Sequence, residues 1–163
     1  MDIRLRNMTG IYLSRGEKLL LLYRQGGRVV SNVWVASAGG HFEKDELNDP
    51  RACVLRELKE ELGLEETDLT DLRLRYIGLR LTKGEIRQNY YYFAGLRDGV
   101  SDEEESSEGK CRWIPKDEVL SCEMPLTAKA VMEHYLSVGI HTDCIYTAAA
   151  GINGYEFCAL ADR

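Results

Sequence analysis

The segment Arg56-Glu57-Leu58-Lys59-Glu60-Glu61-Leu62-Gly63-Leu64 constrains this chain more than any other. At about 100° of turn per helical residue, Glu57, Glu60 and Glu61 stand at i, i+3 and i+4 within a sector of roughly 100°. Leu55, Leu58 and Leu62 point the other way, within roughly 60°. One face is written for a core and the other presents three carboxylates to a common point. Like charges so placed cost a helix about 0.2–0.5 kcal/mol per pair, and carboxylates are favoured near a helix N-terminus rather than in its C-terminal half. Arg56 relieves part of this repulsion by pairing with Glu57 or Glu60. A divalent cation relieves more, since Mg²⁺ takes oxygen ligands and bridges carboxylates to phosphates. A solvated acidic face is the other reading of the same charges.

The flanks define the helix. Asp49 is suited to the N-cap and Pro50 to the first helical position, while Gly63 suits a left-handed stop. The helix is preceded by Gly39-Gly40, read as a loop whose backbone comes close to a ligand and whose carbonyls can join a cation's shell.

These residues resemble the signature of the Nudix family of diphosphate hydrolases, G-x5-E-x7-R-E-U-x-E-E-x-G-U with U aliphatic. Gly40, Glu46, Arg56, Glu57, Leu58, Glu60, Glu61, Gly63 and Leu64 occupy its specified positions. One spacing departs: nine residues separate Glu46 from Arg56, a two-residue insertion around Leu47-Asn48-Asp49 that puts the role of Glu46 in question. Upstream, Trp34 to Glu43 is similar to the strand and loop that enter such a box, with Ala38 where proline is common. The resemblance implies an α/β (α+β) Nudix fold, a mixed curved sheet sandwiched between helices. It implies Mg²⁺, or Mn²⁺, held by Glu60 and Glu61 with Glu57 as ligand or general base. Arg56 would orient Glu57, and the Gly39 or Gly40 carbonyl and Glu108 would be further ligands, Glu108 also being the alternative base; Glu105 is a weaker candidate. The implied reaction is attack of water on a diphosphate bridge in a nucleoside diphosphate linked to another group. The first expectation is a nucleoside triphosphate, ordinary or oxidised like 8-oxo-dGTP, cleaved to monophosphate and pyrophosphate. ADP-ribose, dinucleoside polyphosphates and nucleotide sugars are alternatives. A non-catalytic nucleotide sensor disagrees with the complete set of box carboxylates, and an isoprenoid diphosphate isomerase with the short chain.

A length of 163 residues suits one domain spanning 1–163, with the box at 40–64 and an extension from about 139 to 163. A net charge of −6 argues against nucleic-acid polymers and anionic membranes, though not against a nucleotide, because a bound cation reverses the local field. The five cysteines are odd in number and widely spaced, with no CxxC pair, and the three histidines complete no zinc pattern. Reduced thiols, no signal-like N-terminus and no membrane span predict a soluble cytoplasmic protein, monomer or homodimer.

Along the rest of the chain, a polar lead precedes predicted strands at Thr9–Ser14, Leu19–Arg24 and Val33–Val35. The intervening loop, Gln25 to Asn32, offers Arg28, with Arg24 just before it, either to substrate phosphate or simply to solvent. After a polar linker from Glu65 to Thr70, Leu72–Leu81 alternates as a half-buried strand. It turns at Lys83-Gly84-Glu85 into Arg87–Ala94, whose Tyr90-Tyr91-Tyr92-Phe93 puts aromatics on both faces. Tyr91 is a candidate for stacking on a base, and core packing is the alternative. The acidic stretch Ser101–Gly109 reads as a hairpin tip, Lys116–Leu120 as a short helix, and Thr127–Val138 as a helix capped by Thr127. His134 on that helix reads as structural. Ile145–Ala148 and Tyr155–Leu160 flank a hairpin turn. That tail can pair with the sheet, contact a second copy or border the pocket.

Overall fold

The computed structural model describes residues 2–25, 32–100, 105–106 and 108–161, with the backbone alone at Glu105. The strands are β1 (Arg4–Arg15), β2 (Lys18–Arg24), β3 (Val33–Val35), β4 (Ala38–His41), β5 (Leu69–Thr82), β6 (Glu85–Leu96), β7 (Glu105–Ser106), β8 (Gly109–Pro115), β9 (Ile145–Gly151) and β10 (Gly154–Leu160). Among the described residues there are two α-helices, α1 (Pro50–Leu62) and α2 (Leu126–Ser137), and short 3₁₀ turns. The sheet runs β10-β9-β5-β6-β1-β2-β8-β7, with β3 added to β2 and β4 to β1. It is mixed: β1 runs parallel to β6 and β5 parallel to β9, whereas the other pairs are antiparallel.

Alternation along β1 sorts the core into two layers. Ile11 and Leu13 join Leu20, Leu22, Val54, Leu58 and Tyr92 beneath α1. Tyr12 joins Leu19, Leu21, Tyr76, Tyr91, Phe93 and Val131 beneath α2. The period-2 pattern of β2 is invisible in its all-leucine run because both faces are covered. The sheet also forks. β1 pairs with β2 only at Leu13–Arg15, and its earlier residues Met8–Ile11 pair with β4, while β2 pairs with β8 along Lys18–Tyr23 and with β3 at Leu22–Arg24. α1 lies along β4 and β1, so the glycines of β4 are held directly against it.

Several sequence expectations change. The polar lead is strand: Arg4–Met8 extends β1 because β6 supplies a parallel partner along its whole length. Gly39-Gly40 is not a loop but part of β4, in register with Gly10 and Thr9. Lys116–Leu120 does not form the expected helix; a single 3₁₀ turn, Val119–Ser121, is found instead. Thr127 is not a cap. Pro125 holds the N-cap position, and the buried Thr127 hydroxyl meets that of Tyr155 at 2.7 Å. The Glu65–Thr70 linker is a 3₁₀ turn at Glu66–Asp68 followed at once by β5. Of the three roles open to the tail, the structure shows pairing with the sheet, through Tyr76–Leu79 of β5 against Tyr146–Ala149 of β9. His134 is structural as read: its Nδ1 lies 2.8 Å from the Tyr76 hydroxyl and its ring stacks on Phe157.

Candidate active site at the seam of box helix and sheet

The helix begins and ends where its sequence directs. The Asp49 side chain accepts a hydrogen bond from the Ala52 N–H at 3.0 Å, and Gly63 takes φ 66° with its N–H on the Lys59 carbonyl. Its buried stripe is displaced from the leucine stripe expected. Cys53, Val54 and Leu58 are buried, while Leu55 and Leu62 are half-covered. At about 100° per residue, Glu57 and Glu61 therefore fall inside the buried arc, not opposite it. Glu60 alone of the three faces water, with 57% of its side chain exposed against 13% for Glu57. The carboxylates meet at the seam between helix and sheet.

Gly40 makes that seam possible, because a methyl group there would overlap the Glu57 carboxylate. The backbone of Gly39 hydrogen-bonds the Glu61 carboxylate, an influence that favours its ionised form. Burial outweighs it. Desolvation first, then the charges of Glu57 and Glu108, push the Glu61 carboxyl up to about 8, with Arg24 acting the other way. Glu61 Oε2 is buried without a hydrogen-bond partner among the described residues. Arg24 approaches Glu108 at 3.9 Å, so β2 and the start of β8 bring both to this group.

Arg56 organises the other side. Its Nε bonds Oε1 of Glu46 and its Nη2 bonds Oε2 at 3.0 Å, the paired geometry that suits a guanidinium. Nη1 reaches Glu57 at 2.8 Å and Glu60 at 3.1 Å, and Nη2 also bonds the His41 carbonyl at 3.0 Å. The Arg56 guanidinium holds the buried Glu46 carboxyl well down, at about 2. The doubt about Glu46 is thus resolved for its structural partner. A 3₁₀ turn at Lys44–Glu46 and a left-handed Asn48 (φ 65°) absorb the two extra residues and leave the pair intact.

The structure brings Glu57, Glu61, Gly39, Gly40 and Arg56 together along the seam, with Glu108 close enough for its charge to act on Glu61, Glu60 at the exposed rim beside Arg56 and Arg24 beside Glu108. Tyr91 lies elsewhere, 7% exposed in the α2-side core and stacked on Tyr12. Arg28 falls outside the described residues. Sequence reasoning passed over two neighbours. Cys53 is wholly buried with its Sγ 3.3 Å from the Thr9 hydroxyl, and His41 lies 2.8 Å from Arg6. Neither has a motif; each is found only through the pairing of β4 with β1.

Would a cation fit? The donors present are hard carboxylate oxygens and backbone, and one buried carboxylate oxygen lacks a partner, which suits a hard divalent ion. Among the described residues no group of three or more His, Cys, Asp or Glu is drawn together into a ready cage. A shell shared with substrate phosphates, the usual habit of Mg²⁺, needs none.

A family model described as NUDIX domain matches residues 4–136. The mutator MutT protein from Bacillus halodurans is 26% identical, with a TM-score of 0.68 over 93% of this chain and 97% of that one. The ORF135 protein of E. coli is 22% identical, with a TM-score of 0.62 over 86% and 95%. The MutT protein from Methanosarcina mazei Go1 is 19% identical, with a TM-score of 0.67 over 83% and 95%; these last two speak to the fold alone. Among the described residues no helix is long and apolar enough to cross a membrane. The match covers most of the chain and the signature residues are those gathered at the seam, so the chain belongs to the NUDIX family and is a Nudix pyrophosphohydrolase.

Proposed function

We propose that this protein hydrolyses a nucleoside triphosphate, ordinary or oxidised, to nucleoside monophosphate and pyrophosphate, with Mg²⁺ as its cation and Mn²⁺ as a substitute. The family uses divalent cations and acts on small nucleotides. Supporting the narrower reading is the resemblance in fold and sequence to a mutator MutT protein. Supporting the cation is one observation above the others: the buried, unpartnered Oε2 of Glu61 beside Glu57 and Glu108.

The chemical obstacle is charge. A polyphosphate repels hydroxide, and negative charge gathers on its oxygens in the transition state. A cation held by Glu57, Glu60 and Glu61, with the Gly39 or Gly40 carbonyl and Glu108 as further donors, would neutralise that charge and lower the pKa of water. Arg56 fixes the rotamer of Glu57 from below, because its guanidinium is itself fixed by Glu46 and the His41 carbonyl. Glu57, so fixed, receives the proton of the attacking water, with Glu108 the alternative acceptor. Arg24, whose Nε is buried without a partner among the described residues, offers its charge to a phosphate oxygen, and Arg28 is a second candidate for that task.

The test is product formation from a panel of nucleotides with Mg²⁺, Mn²⁺ or EDTA, resolving pyrophosphate from orthophosphate. Cation-dependent release of monophosphate and pyrophosphate from a triphosphate is the expected result. Cleavage confined to ADP-ribose, a dinucleoside polyphosphate or a nucleotide sugar would replace the substrate class. Binding without turnover would make the protein a sensor.

A further inference from the structure

We propose that β10 is a docking edge for a second copy of this chain, the two β10 strands pairing antiparallel about a two-fold axis through Phe157. The two ends of the sheet differ sharply. At one end, β7 comprises two residues among those described, Glu105–Ser106. At the other, β10 pairs with β9 through seven consecutive residues without a register shift, and no described strand lies beyond it. Proteins ordinarily guard such an edge with lysine, proline, a bulge or brevity. The sequence Gly-Tyr-Glu-Phe-Cys-Ala-Leu carries none of these, and Glu156 is its single charge. Glu156, Cys158, Ala159 and Leu160 are exposed.

Self-pairing requires that the strand complement itself. Centred on Phe157, all seven residues find partners: Gly154 faces Leu160, Tyr155 faces Ala159, Glu156 faces Cys158 and Phe157 faces its own copy. The only charge meets a neutral residue twice, and an aromatic pair sits on the axis. Centring on Glu156 instead would set two like charges face to face. The net charge of −6 opposes association generally, so an edge this nearly neutral is the place where two copies can approach. The strand is also already ordered for pairing: the Tyr155 hydroxyl is held by Thr127 and the Phe157 ring by His134. Docking therefore adds little ordering cost.

Sedimentation equilibrium of the full chain under reducing conditions, from low micromolar to millimolar protein, tests this. The wild type is expected to form a reversible dimer. Cys158→Glu sets glutamates opposite Glu156 at two symmetric positions and is expected to weaken the dimer by about threefold or more. Cys158→Lys sets opposite charges there and is expected to tighten it by about as much. Both substitutions fall on an exposed side chain, so folding is not at issue, and circular dichroism of each verifies it. A wild type that stays monomeric throughout, a dimer indifferent to both changes, or one weakened by both would overturn the proposal.

Discussion

Replacing Glu46 with glutamine isolates the pair on which the box rests. The substitution keeps the shape and removes the charge from a side chain 7% exposed and bound in a fork by Arg56. A carboxyl moved from 4.5 to about 2, at about 1.36 kcal/mol per tenfold in proton affinity, corresponds to roughly 3 kcal/mol of folding free energy. That agrees with the roughly 3–5 kcal/mol lost when one partner of a buried ion pair is removed. The sign sets the pH window. Because the folded-state value is depressed, the stabilisation is complete above about 4.5 and is lost as pH falls toward about 2. Urea unfolding of wild type and Glu46→Gln should thus differ by roughly 3 kcal/mol at pH 7 and converge as the wild-type carboxyl is protonated. A difference below about 0.5 kcal/mol at pH 7, or one that does not shrink on acidification, would refute the assignment of Glu46 as the anchor of Arg56.

Other consequences are equally direct. Glu60→Gln should cut turnover at least about tenfold in steady-state assays while leaving the melting temperature within a few degrees, since its side chain is largely exposed. Gly40→Ala should likewise lower turnover by about tenfold or more at little cost in stability, because the added methyl displaces only the end of Glu57. Arg75→Met should destabilise by roughly 2–3 kcal/mol in urea, as the buried guanidinium bonds the carbonyls of Gly139, Thr142 and Cys144 that lead into β9. His134 has its pKa lowered by burial. Its contribution is therefore complete above about 6.5 and fades as pH falls below it, and His134→Gln should flatten that part of the stability profile.

What the sequence disclosed followed from how local each signal is. Asp49, Pro50 and Gly63 delimit α1 because caps act within a few residues. Lys83-Gly84 announces its hairpin because both residues take positive φ. The inward turn of Glu57 and Glu61 was not legible, since a helix's own leucines do not tell which arc a sheet will cover; Gly40 tells it, and only once β4 is known to lie on β1. Nor was the strand nature of Arg4–Met8 or Gly39-Gly40 visible, because each is imposed by a partner distant in sequence rather than by its own propensity. Tyr91 shows the limit from the other side: alternation placed aromatics on both faces, but not which neighbours would bury them.

The parallel alignment of β1 with β6 also governs how this molecule comes into being. Arg4 waits for Glu85 and Ser14 for Gly95, while β5 waits for β9. Such distant closures slow folding, since chain entropy is spent before contacts repay it. During synthesis the whole box, through Leu64, emerges from the ribosome before β6 does. For that interval the chain carries its signature helix and the glycines that receive it, yet one side of β1 is an open edge. The nascent protein is then most vulnerable to mispairing, and its chemistry arrives only with its middle strands.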